Sequence, residues 1–276
     1  MSDHGFIAVN GVRLEFKSWP GAGLPILLLH EGLGSVAMWR DFPAALAEAT
    51  GHAVVAWSRR GYGASDSLPD PRDAGYMHDE ASLLPAVMDE LGIARAHLFG
   101  HSDGASIALI AAAHNPARAA SLILEAPHVY VEQIAVDSIA KAKVVYETTD
   151  LAQRLGRYHD NADQVFRRWN DIWLDPCFRN WNIEALLPGV VAPALLIQGH
   201  EDEYGTMDQI DRIEAILPAK RRLELARCKH SPHRDQPAAI LAASADFINE
   251  IDVCFIRQAF QFDGRKTSRR RSGTPG

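Results

Sequence analysis

Residues 96–114 read AHLFGHSDGASIALIAAAH, and two different patterns meet inside them. Ala96–His101 is a short apolar run, as a strand buried on both faces requires. From Ser102 to His114 small and aliphatic residues dominate, without proline, which suits a closely packed helix. The junction, Gly100-His101-Ser102-Asp103-Gly104, has the form G-x-S-x-G. Alone the pattern is weak, because a plain turn with an idle serine satisfies it. Strand, sharp turn and helix in that order are what a nucleophile elbow needs. The turn exposes the hydroxyl above the sheet, and the glycines remove side chains that would collide. The helix N-terminus beyond Ser102 favours negative charge developing beside it.

The same alternation extends outward. Val12–Trp19, Pro25–His30, Ala53–Ser58, Ser121–Ala126, Pro193–Gly199 and Arg222–Ala226 read as further strands. Met38–Ala49, Met77–Leu91 and Pro237–Ile251 read as helices, with Gly51 and Gly92 as stop signals for the first two. Strands alternating with helices predict an α/β protein with a mostly parallel sheet covered on both faces. From His128 to Leu187 the rhythm breaks: helical patterns and aromatic residues replace the strands. A stretch this long is no plain loop, and it reads as a helical cap inserted over one edge of the sheet. The expected division is core at 1–127, cap at 128–187, core again at 188–256 and tail at 257–276. The tail carries Arg265, Lys266, Arg269, Arg270 and Arg271 with little that is apolar, and it is expected to be disordered.

Composition narrows the classes of function. The 276 residues carry a net charge of −7, which disfavours non-specific binding to nucleic acid. The strongest apolar run, Ile107–Ala113, is far too short to cross a bilayer, and no membrane partner is expected. Residues 1–10 lack the basic and apolar regions of a secretory signal. Cys177, Cys228 and Cys254 are odd in number and widely spaced, so they form neither a disulfide framework nor a metal-ligand pattern. A reduced, cytoplasmic setting is expected.

A serine hydroxyl needs a base, and the base needs an orienting acid. Two histidines compete on a short segment after the last strand, His230 and His233, in Cys228-Lys229-His230-Ser231-Pro232-His233. An acid candidate, Asp202, stands in Gly199-His200-Glu201-Asp202 at the end of the preceding strand. The order serine, acid, histidine is the one expected when the nucleophile sits on a mid-sheet elbow. All three segments follow strand ends, where catalytic groups of open α/β sheets gather.

Taken together, Phe6 to Ile251 resembles the α/β-hydrolase fold superfamily, in its serine-nucleophile branch with a helical cap. Leu29-His30-Glu31-Gly32-Leu33-Gly34-Ser35 is similar to the His-Gly loop after the third strand. Ser58-Arg59-Arg60-Gly61-Tyr62-Gly63-Ala64-Ser65 is similar to Asp-x-Arg-Gly-x-Gly-x-Ser, and His230–Pro237 to His-x-x-His-x-(Asp/Glu)-x-Pro. The resemblance implies an eight-stranded sheet, His230 as base, and His233 as a structural residue. It implies Asp202 as acid, although some members carry the acid after the sixth strand, where Glu125 stands. It places oxyanion donors at the backbone N–H groups of Gly32 and Asp103. The chain departs from the pattern at Glu31 and Asp103, whose carboxylates are expected to point away or else to hold a cationic part of a substrate. It departs again at Ser58, expected to be a local turn variation.

The activity so implied is hydrolysis of a small apolar carboxylic ester or thioester through an acyl-enzyme on Ser102. No metal or organic cofactor is expected, the partner is the small-molecule substrate, and a homodimer is left open. C–C hydrolysis of ring-cleavage products and a non-catalytic small-molecule receptor are the rivals. Arg59 and Arg60 are read as supports of the fold or as contacts to a substrate anion.

Overall fold

The computed structural model describes residues 3–67 and 72–269. Eight strands form one sheet in the order β1-β2-β4-β3-β5-β6-β7-β8. They are β1 (Asp3–Val9), β2 (Val12–Trp19), β3 (Ala22–Leu29), β4 (His52–Trp57), β5 (Ala96–His101), β6 (Ala119–Glu125), β7 (Ala194–Gly199) and β8 (Lys220–Leu225). The β1–β2 and β2–β4 pairings are antiparallel, and every pairing from β4 to β8 is parallel. The strand absent from the sequence reading is β1. Its signal was the dipeptide Asn10-Gly11, whose φ angles of 51° and 80° are those of a tight hairpin turn that closes β1 onto β2.

Nine helices complete the fold among the described residues: α1 (Phe42–Thr50), α2 (Tyr76–Glu90), α3 (Asp103–His114), α4 (Gln133–Thr148), α5 (Leu151–Leu155), α6 (Ala162–Leu174), α7 (Asp208–Ile216), α8 (Pro232–Asp235) and α9 (Pro237–Arg269). Alternation along the strands assigns them to faces. On β3, Leu27 and Leu29 belong to the core shared with α2, α3 and α7, whereas Ile26 and Leu28 belong to the core shared with α1 and α9. Successive strand side chains point to opposite faces, so a continuous apolar run is what a sheet covered on both sides demands.

Between β6 and β7 lie α4, α5, α6 and two short 3-10 turns at Pro176–Asn180 and Glu184–Gly189. Their aromatic residues Phe166, Trp169, Trp173, Phe178 and Trp181 join the same core as α3. The last helix differs from expectation. It continues past Ile251 to Arg269, so residues 257–269, expected to be disordered, are helical, and 270–276 lie outside the described residues. Composition argued only that this segment buries little. Residues 251–269 hold no proline and a single glycine, Gly264, which costs a helix only about 1 kcal/mol, so hydrogen bonding continues from the packed part of α9.

Backbones come close where α3 meets β3 and β5. A Cβ on Gly104 would lie 2.0 Å from the Leu29 carbonyl oxygen, and one on Gly100 would lie 2.5 Å from Ala105 Cα. Both obstacles are backbone, so no side chain can swing aside. Gly104→Ala is therefore expected to lower the unfolding free energy by about 1–3 kcal/mol or more, measured by urea denaturation. An unchanged midpoint would contradict the packing described.

Candidate active site

Ser102 lies between β5 and α3 with φ 54° and ψ −120°, a left-handed conformation for a non-glycine residue. Such a conformation costs about 1–3 kcal/mol and persists only when its surroundings enforce it. Its N–H donates to the Glu125 carbonyl of β6 at 2.9 Å, and its carbonyl accepts from Ala105 and Ser106 N–H at 2.8 and 3.1 Å. The side chain is thereby thrown out of the strand line toward the carboxyl ends of the strands.

The structure brings Ser102, His230 and Asp202 together. His230 Nε2 lies 2.9 Å from Ser102 Oγ, and His230 Nδ1 lies 2.9 Å from both Asp202 oxygens. Asp202 is held in turn by Gln198 Nε2 at 2.8 Å and by the N–H groups of Tyr204 and Gly205 at 2.8 and 3.3 Å. The His230 carbonyl accepts from His101 Nε2 at 2.6 Å, which fixes the loop carrying the imidazole. Burial works against a charge on His230, but the Asp202 carboxylate and its hydrogen bond outweigh it and raise the imidazole above its ordinary pKa. For Asp202, burial pushes upward, while the His230 charge and the hydrogen bonds pull further and leave the carboxyl below its ordinary value.

The loop after β3 is fixed from beneath. His30 Nδ1 donates to the Glu31 carbonyl at 2.7 Å while Nε2 accepts the Arg59 N–H at 3.1 Å. Burial first, and then the Arg59 charge, push His30 well below its ordinary pKa, consistent with one proton on the ring. The Arg59 guanidinium donates to the His30 and Glu31 carbonyls at 2.8 and 2.9 Å. Arg59 is thus a buried support, and Arg60 faces Glu80 at 3.5 Å.

Gly32 and Asp103 both line the cavity with Ser102. The Leu33 N–H is taken by the Glu31 carboxylate, which leaves Gly32 as the candidate donor of this loop. A Cβ on Gly32 would fall 2.2 Å from Trp169 Nε1 of α6, so only glycine fits there. The Asp103 carboxylate turns away, accepting from Tyr76 Oη at 2.9 Å with the Arg59 guanidinium 3.8 Å off.

His233 and Glu125 form a second pair, with His233 Nδ1 2.6 Å from Glu125 Oε2. The runner-up acid therefore binds the runner-up base. Ser58 is more than a local turn variation. Its hydroxyl donates to Glu15 Oε2 of β2 at 2.7 Å and accepts the Val36 N–H at 2.9 Å, so Glu15 brings a carboxylate to this turn from another strand.

The cavity over Ser102 measures about 260 Å³. Most of its apolar wall comes from Ala135, Ile139, Leu151, Leu155, Trp169 and Trp173, all between β6 and β7, and Leu33 and Met38 add to it. Sequence reasoning missed His128, Tyr204 and Arg234 on its polar side. The His128 ring lies 5.9 Å from that of His230 and edge-on to Trp173 at 5.2 Å. Burial and the neighbouring His230 charge lower its pKa to about 4. Position just past a strand end was the one available signal for His128.

Comparison with known proteins agrees with this fold. A family model described as alpha/beta hydrolase fold matches residues 25–162. The serine hydrolase BPHL of Homo sapiens is 29% identical over 82% of this chain and 80% of that protein. The RutD protein of Caulobacter segnis, provisionally named a carbamate hydrolase, is 36% identical over 42% of this chain, and the match spans 43% of that protein's length. Among solved structures, the enol-lactonase of Burkholderia xenovorans LB400 superposes with a TM-score of 0.72 at 22% identity, covering 89% of this chain and 100% of that one, a likeness of fold.

The charge coupling can be measured without a substrate. In NMR titration His230 is expected to protonate with a midpoint above the ordinary histidine value, and Asp202→Asn is expected to move that midpoint down. A midpoint indifferent to Asp202→Asn would show that the carboxylate does not govern the imidazole.

Proposed function

Because this chain belongs to the α/β-hydrolase fold family and is a hydrolase of that fold, we propose that it cleaves a small apolar carboxylic ester or thioester through an acyl-enzyme on Ser102. The observation that carries this reading is the row Ser102 Oγ, His230, Asp202, with 2.9 Å at each step, opening into a cavity with an apolar wall.

In this mechanism Ser102 Oγ attacks the substrate carbonyl carbon while His230 Nε2 takes its proton, and Asp202 holds the imidazole in the tautomer that presents Nε2 as acceptor. The tetrahedral oxyanion is met by the Gly32 and Asp103 N–H groups, the second at the N-terminus of α3. Collapse expels the alcohol or thiol, protonated by His230. Water then attacks the acyl-enzyme with His230 as base, releasing the acid and restoring Ser102. The cavity volume and its aliphatic and indole lining suit an acyl group of modest size. The likeness to human BPHL, a serine hydrolase, supports the nucleophile.

The reaction fixes the sign of the pH dependence. His230 acts as a base only when neutral, and its pKa is raised. The rate constant kcat/KM is expected to climb with pH through a midpoint above the ordinary histidine value. Ser102→Ala is expected to cut turnover of p-nitrophenyl esters or acyl thioesters by roughly a millionfold and to abolish labelling by a fluorophosphonate. Undiminished turnover in purified Ser102→Ala, or no labelling of the wild-type serine, would end this reading. A panel that also holds ring-cleavage products separates C–O and C–S from C–C cleavage.

A further inference from the structure

Behind the nucleophile lies a cluster that the proposed hydrolysis does not use for chemistry. His101 ends β5, Glu125 ends β6 and His233 sits in α8. The three residues are 1%, 0% and 4% exposed, and one ligand-type atom from each lies within 4.8 Å of the other two. Their hydrogen bonds leave acceptors over. His101 donates from Nε2 to the His230 carbonyl, which in a singly protonated ring makes Nδ1 a bare lone pair. That nitrogen is buried and has no hydrogen-bond partner among the described residues. Glu125 Oε2 accepts from His233, while Oε1 is buried and equally unpartnered. Buried acceptors without a donor are costly, and an electrophile between them would remove that cost.

Space adjoins the cluster. A cavity of about 10 Å³ touches His101 and His233, enough for a single water. It shares Glu31, Met38, His101 and Arg234 with the cavity over Ser102, so the two cavities are neighbours.

We propose that His101, Glu125 and His233 form a binding site for a first-row divalent cation of the zinc class, with a water in the adjoining cavity as fourth ligand. Two imidazole nitrogens and one carboxylate oxygen are a donor set such ions accept, with an open position left for water. Bonds of roughly 2.0–2.2 Å at tetrahedral angles put ligand atoms about 3.4 Å apart, so on binding the His233–Glu125 pair opens from 2.6 Å while the wider separations, up to 4.8 Å, close. The His233–Glu125 hydrogen bond gives way to two metal bonds: Nδ1 gives up its proton and Nε2 carries one, so that His233 binds as a neutral imidazole and any second ring proton leaves to solvent. The ligands come from three segments far apart in the chain, so no sequence spacing announces them. Because His101 also holds the His230 carbonyl, the ion would cross-link the elbow, the end of β6 and the loop carrying the imidazole. The site stands whether or not the hydrolytic reading does.

The test uses the full-length protein, stripped with a chelator and titrated with Zn²⁺ by calorimetry and with Co²⁺ by visible absorption. The expected result is one ion per chain, tetrahedral Co²⁺ bands and a higher Tm. Glu125→Gln and His233→Asn should each weaken uptake by at least the roughly 10–100-fold that loss of even an outer-shell partner causes, while His230→Asn leaves uptake intact. Zinc-edge X-ray absorption of the wild-type protein needs no variant, and should count two imidazoles and one carboxylate. Absence of stoichiometric uptake would mean that the cluster holds a water only. Uptake lost in His230→Asn, or a sulfur shell in the absorption spectrum, would put the ion elsewhere. Any of these overturns the proposal.

Discussion

The left-handed backbone at Ser102 is the constraint on which the rest of the site depends. A serine at φ 54° is disfavoured by itself, and it is held because both sides of the residue are committed. Its N–H belongs to β6, through the Glu125 carbonyl, and its carbonyl belongs to the first turn of α3. The turn can be this sharp only because α3 rides directly on β3, with Gly104 against the Leu29 carbonyl. Topology adds the second half. The chain leaves β3 toward α1 on one face of the sheet and leaves β5 toward α3 on the other. Where neighbouring parallel strands send their connections to opposite faces, a crevice opens at the carboxyl ends. The His30–Ser35 loop and Ser102 stand on the two sides of that crevice.

Two imidazole–carboxylate pairs then sit side by side, built from the same groups and differing in what surrounds them. His230 faces Asp202 on one side and the Ser102 hydroxyl on the other, with its side chain 15% exposed. His233 faces Glu125 and is enclosed by Trp39, Phe42 and His101 rings. Ser231 and Pro232 separate them in sequence, and the short helix α8 begins in that interval. Residue 230 therefore remains on the loop, at the cavity, while residue 233 turns inward as part of α8. The pairing is exclusive by geometry: each carboxylate is at the end of a different strand, Glu125 on β6 and Asp202 just past β7.

Much of this was legible before any coordinates. Parallel strands announce themselves as apolar runs because both faces are covered, and the elbow announces itself because glycine is required where backbones touch. What was not legible follows from interactions between distant segments. The hairpin strand β1 alternates and is half exposed, so it lacks the apolar run that marked the central strands β3 to β7. Ser58 looked like a variant turn because its carboxylate partner, Glu15, stands 43 residues away. The reach of α9 to Arg269 was hidden because composition reports burial and not the persistence of a helix already begun. His128 and Arg234 carried no motif, and only the folding of β6 and α8 toward one cavity brings them there.

The electrostatics of the cavity answer the objection that two carboxylates adjoin the candidate oxyanion donors. In the proposed mechanism Asp103 offers its N–H at the start of α3, and its side chain turns to Tyr76 and Arg59. Glu31 folds back onto the Leu33 N–H, and its charge also reaches His230. There, with Glu203, it adds to the pull that Asp202 exerts on the His230 proton. A negative charge is harmful beside an oxyanion and helpful beside an imidazolium, and the two needs are met within one small cavity by aiming side chains rather than by removing them. The departure at residue 31 thus raises the pKa of the His230 imidazole, the carboxylate at 103 is spent on Tyr76 and Arg59, and in the proposed mechanism backbone N–H groups and the α3 terminus remain to face the oxygen.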